Sequence, residues 1–219
     1  MKTERDWDEA IRDVRGAYRL VALYQRRILD LLRLTSDAFD KHQFAYWKAA
    51  HTHPVPRGDK DIISPGYWAW DYIPLCDFSI LLVPERTDAT SIQPGETMVE
   101  INVSIDSEFE GPEYEGRNKI EPNPMKWDAL EEATAGIQMI FWTYQGSKPL
   151  KETWKQAWFK IEIGDALKDE EVASQVKEYD EMSCAYIEWP LTEFMGSDDP
   201  RPFVEQAKNM VATTLAAYV

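Results

Sequence analysis

Apolar positions along this chain follow three successive rhythms. From Asp6 to about Asp40 they recur at steps of three and four. Val14, Ala17, Val21, Tyr24, Ile28, Leu31 and Ala38 share one line with Thr35 in its gap, and Ile11, Tyr18, Leu32 and Phe39 widen it. That spacing lines one face of a helix, and no proline interrupts it, so the pattern predicts one long amphipathic helix over residues 6–40.

In the middle of the chain the rhythm shortens. Residues 78–83 are apolar at nearly every position, as in a strand covered on both faces, and Pro84 stops the run. After a turn at Pro94-Gly95, Val99, Ile101, Val103, Ile105 and Phe109 alternate with Glu100, Asn102, Ser104, Asp106, Glu108 and Glu110. Strict alternation predicts a half-buried strand with one wet face. Further strands are expected at 137–144, 156–163 and 182–189, with another at 43–50. Pro124 would start a short helix over 124–134, and Asp169 would cap a second near 170–179. Residues 54–74, with Pro54, Pro56, Pro65 and Pro74, read as a structured loop region.

The last rhythm is helical again. Asp199 suits an N-cap and Pro200 the first helical position. Val204, Ala207, Val211, Leu215 and Tyr218 then mark a helix over about 200–218. Strands that follow one another through short connections favour an antiparallel sheet. The expected fold is therefore α+β: a single domain, residues 1–219, with a sheet of about five or six strands over 43–189. The long N-terminal amphipathic helix and the C-terminal helix flank it.

Charge adds a second pattern. The chain has 219 residues with 24 basic and 39 acidic side chains, a net charge of −15 and a pI near 4.6. Residues 1–41 hold 9 of the basic and 8 of the acidic groups, which leaves 15 and 31 for the remaining 178 residues, a net of −16. Such a body does not wrap a phosphate backbone or dock on an anionic membrane, since both need clustered Lys and Arg. Neither nucleic acid nor membrane is an expected partner. The first residues, Met1 to Trp7, lack the apolar stretch of a secretory signal, and no run suits a membrane span. With Cys76 and Cys184 as the only cysteines, a cytoplasmic, reducing setting is expected.

Within the long helix, Arg12, Arg15, Arg19, Arg26 and Arg33 fall in an arc of about 60°, roughly opposite the apolar band. The ordinary reading of such a row is a solvated face. The sharper reading is a second interaction surface, for an acidic partner or the acidic face of another copy, so a homo-oligomer is a further expectation.

Catalytic patterns are mostly missing. His51 and His53 share a face if extended, with Asp59, Asp61 or Asp71 nearby, but no fixed spacing leads to a third ligand. Asp77 and Glu100 stand on neighbouring predicted strands as in a metal-dependent nuclease, yet position 102 is Asn where Lys is needed. No Gly-rich phosphate loop and no Gly-x-Ser-x-Gly turn occurs, and Cys76 and Cys184 read as buried thiols. Trp68, Trp70 and Tyr72 would share one side if extended, either plugged against the long helix or stacking on a ligand. No cofactor, metal ligand set or catalytic residue is assigned.

What remains is an acidic ladder of Glu100, Asp106, Glu108, Glu110, Glu113 and Glu115 with Phe109 and Tyr114 interleaved. Like charges this dense repel one another, so a basic partner that neutralises them is expected, with the two aromatics as anchors. The leading expectation is an acidic, non-enzymatic protein-binding protein. Its natural form is an inhibitor, or an immunity or antitoxin-type factor, that mimics DNA and occludes a basic, nucleic-acid-binding partner surface. The alternatives are a metal-dependent hydrolase using Asp71, Asp77, Glu100 or the His51/His53 pair, and a self-assembling structural protein.

Overall fold

The computed structural model describes residues 4–49, 77–85, 90–107, 132–160, 176–179 and 181–216. The chain opens with helix α1 (Glu4–Ala38), then strands β1 (His42–Ala49), β2 (Asp77–Pro84), β3 (Thr97–Ser104) and β4 (Gly136–Tyr144). Helix α2 (Trp154–Lys160) precedes β5 (Val176–Tyr179) and β6 (Met182–Pro190). Helices α3 (Leu191–Gly196) and α4 (Arg201–Ala216) follow. The six strands form one antiparallel sheet in the order β1-β2-β3-β4-β6-β5, so β6 slots between β4 and β5. The α+β architecture, with terminal helices flanking an antiparallel sheet, is the one the apolar rhythms predict.

Alternation along the strands sorts side chains onto two faces. Val99, Ile101 and Val103 of β3 join Ile80 and Leu82 of β2 and Met139 of β4 in a core closed by Ile28, Leu31 and Leu32 of α1, Phe194 of α3 and Val204 of α4. On the opposite face Leu81, Met98, Ile140, Trp142 and Tyr186 pack against Trp154, Ala157 and Trp158 of α2. The sheet is therefore covered on both sides through its middle. Thr35 sits fully buried in the α1 stripe, where its hydroxyl donates to the Leu31 carbonyl at 2.8 Å.

Long basic side chains fasten the helices together. Arg27 donates to the carbonyls of Met195 (3.1 Å from Nη2) and Ser197 (2.5 Å), which supplies partners at the C-terminus of α3. Lys208 of α4 donates to the Ala38 carbonyl at the end of α1, 3.0 Å away. At the start of α4, the Arg201 amide donates to Asp199 Oδ1 at 3.0 Å, the capping role expected of Asp199. The Pro94-Gly95 turn forms as read, with Gly95 at φ 79° and the Glu96 amide donating to the Gln93 carbonyl at 3.1 Å. Gly146 is required for a different reason: a Cβ there would run into the Tyr144 hydroxyl.

Several expectations are corrected. Residues 154–160 are a helix, where a strand was expected over 156–163. Thr153 and Gln156 form a reciprocal capping box, with the Gln156 amide donating to Thr153 Oγ1 (3.2 Å) and the Thr153 amide to Gln156 Oε1 (2.8 Å). Residues 176–179 are a strand instead of the end of a helix near 170–179, because they pair with Met182–Ala185 of β6. Residues 132–134 are not helical, and the remainder of the expected 124–134 helix lies outside the described residues. Ile105 lies past the end of β3 and is exposed, so it does not face the core as the alternation implied.

Candidate functional site

Two places in the described structure depart from ordinary packing: a carboxylate buried under α2, and the outer half of α1.

Glu100 occupies the position on β3 that the alternation assigns to a wet face. Its side chain is instead fully buried (0% exposed), because α2 and the aromatics of β4 cover that face. This corrects its expected place in an exposed acidic ladder, since a carboxylate sealed in the core cannot meet a partner. The Trp142 ring N–H donates to Glu100 Oε2 at 3.2 Å. The Trp158 ring N–H and Glu100 Oε1 are both buried with no hydrogen-bond partner among the described residues. Burial pushes the Glu100 carboxyl above its ordinary value; the Trp158 ring N–H, the Lys48 charge, the Trp142 hydrogen bond and the Ser79 hydroxyl oppose that rise. Lys48 Nζ lies 4.3 Å from the Trp158 ring centroid, and Lys155 Nζ lies 3.7 Å from that of Tyr46.

A cleft of about 290 Å³ opens beside this chamber, between Gln43 and Ala45 of β1, Val83 of β2 and Thr153 and Trp154 at the start of α2. Among the described residues of its wall the ionisable group is Lys155, and these residues offer no acid–base pair. Asp77 is buried on the same sheet face as Glu100. It pairs with Ser104 while Glu100 pairs with Leu81, four residues further along the ladder, about 13 Å away at strand spacing. The two acids therefore cannot share one metal ion, as the nuclease-like arrangement required. Among the described residues no three His, Cys, Asp or Glu side chains lie close enough to hold a metal.

The second place is α1. Its 35 residues span about 52 Å, and burial begins only near Tyr24. Between Glu9 and Leu23 no described side chain is buried. Arg12, Arg15, Arg19, Arg26 and Arg33 are all exposed, as the predicted row requires. So are large apolar groups: Ile11 at 47%, Val14 at 47%, Tyr18 at 72% and Leu23 at 65%. Composition places hydrophobic side chains on this helix without saying that half of it runs past the core. That was the feature the sequence reading missed.

Of the expected acidic ladder, Asp106 is half-buried just beyond β3. Glu108, Phe109, Glu110, Glu113, Tyr114 and Glu115 lie outside the described residues, as do His51, His53, Asp71, Trp68, Trp70, Tyr72 and Cys76. Cys184 is buried, as expected of an inert thiol. No helix among the described residues is long and apolar enough to cross a membrane.

Comparison with curated proteins and with solved structures finds no match. A family match covers nearly the whole chain, from the start of α1 to the last turn of α4: through residues 4–215, this protein belongs to the PM0109 family.

Proposed function

We propose that this chain is a cytoplasmic, non-enzymatic protein-binding protein: an inhibitor, or an immunity or antitoxin-type factor, whose acidic surface occludes the basic, nucleic-acid-binding surface of a partner. The observation that carries this reading is where the negative charge stays. Among the described acids only Asp77 and Glu100 are buried, while Glu85, Glu132, Glu181, Glu188, Glu193 and Asp198 face water on a body of net charge −16. A surplus of that size projects a field that attracts a cationic surface and repels nucleic acid. The ladder from Asp106 to Glu115, with Phe109 and Tyr114, supplies a contact segment with both charge and anchors.

The test is capture of the tagged full-length chain from host lysate, followed by association kinetics with the partner recovered. A stoichiometric basic protein that elutes at intermediate salt is expected. Reversing Glu108 and Glu110 to Lys should then slow association by about tenfold or more and flatten its salt dependence. Unchanged kinetics in that double variant would remove the acidic face from the interface.

A further inference from the structure

We propose that the outer half of α1 is a self-association arm, which pairs antiparallel with the same segment of a second copy of this chain. The argument begins with unsupported length. The residues from Glu4 to Leu23 extend about 30 Å beyond the packed part of the helix, and a lone helix of that length is marginal in water. At 100° per residue, Ile11, Val14, Tyr18 and Val21 fall within an arc of about 80°, spaced three, four and three apart. That is the seam of a two-helix coiled coil, with Ala10 and Ala17 beside it allowing close approach. The stripe continues onto Ile28 and Leu32, which the core already covers, so the seam is the uncovered end of a face whose other end is buried.

Charge selects the occupant and its direction. Residues 4–13 hold five acids and two arginines, a net of −3, whereas 14–27 hold four arginines and no acid, a net of +4. An antiparallel pair centred near residue 16 sets each acidic segment against the basic segment of the other copy. Ile11 then opposes Val21, and Val14 opposes Tyr18. A parallel pair would set like against like and bring two bodies of net charge −16 side by side; the antiparallel pair holds them at opposite ends. The arginine row stays on the outside of such a pair, still free to meet a further surface.

The experiment is sedimentation of the purified full-length chain over a range of concentrations, with no other protein present. The mass is expected to double as concentration rises and to stay doubled in high salt, since the seam is apolar. Val14→Asp should weaken the dimer by at least about tenfold. Leu23→Asp should leave it intact: it removes a still more exposed apolar group about 160° away from the seam. Neither residue touches the core, so at concentrations where the parent is monomeric both variants should keep its melting midpoint. In a Cys76→Ser background, Ile11→Cys and Val21→Cys should cross-link when mixed and oxidised, and neither should cross-link alone. A chain monomeric at every concentration overturns the proposal. So does a dimer that dissolves in salt and ignores Val14→Asp, or one in which either cysteine variant cross-links with itself. Because no partner is involved, failure here leaves the acidic-face reading of function standing.

Discussion

Glu100 shows how much a single buried carboxyl can reveal. Its folded-state pKa lies above the ordinary 4.5, chiefly through burial. A raised pKa means the folded state holds a proton that the unfolded chain releases. The associated stability is fully present below about pH 4.5 and is lost as pH rises through the folded value. Glu100→Gln keeps an oxygen for the Trp142 ring N–H and removes the titration. The variant should match the parent near pH 4 in urea unfolding and become progressively more stable toward neutral pH. His42 titrates in the opposite sense: burial lowers its pKa, so its contribution is lost as pH falls below 6.5, and comparing variant with parent cancels it. If the two curves run parallel from pH 4 to 8, the carboxyl is not perturbed and the chamber is wetter than its packing implies.

At the scale of elements, legibility followed the reach of the cause. The α1 helix, the β3 alternation, the Pro94-Gly95 turn and the Asp199 cap were readable because each is set by neighbours within a few residues. The wet face assigned to Glu100 failed because α2, some fifty residues later, covers it. Residues 156–163 read as a strand because Phe159, Ile161 and Ile163 alternate with Lys160 and Glu162, but the Thr153-x-x-Gln156 capping box outweighs so short a pattern. β5 was illegible for a related reason: its four residues are a strand through pairing with β6, not through their own preference. The capping box carries its own prediction. Thr153→Ala should cost about 1 kcal/mol in urea unfolding. A neutral substitution would mean that Trp154 and Trp158 hold α2 by packing alone.

At the scale of the whole molecule, stability and binding should respond to salt with opposite signs. Residues 42–219 carry 31 acids and 15 bases, and folding brings like charges closer than they lie in an unfolded chain. Ion pairs between described residues such as Arg201–Asp199 at 2.8 Å and Lys208–Glu205 at 3.1 Å are exposed, and an exposed pair offsets little of the repulsion. Added monovalent salt shortens the screening length to about 10 Å at 0.1 M, which relieves repulsion between acids spread over the surface. The melting midpoint should therefore climb as salt is raised from low to physiological strength. Attraction to a basic partner is screened by the same ions, so the partner's association rate should fall over that range. A flat or falling midpoint would mean that neighbouring groups already neutralise the acids. The body would then project no surplus field, and the proposed recognition of a basic surface would lose its driving force.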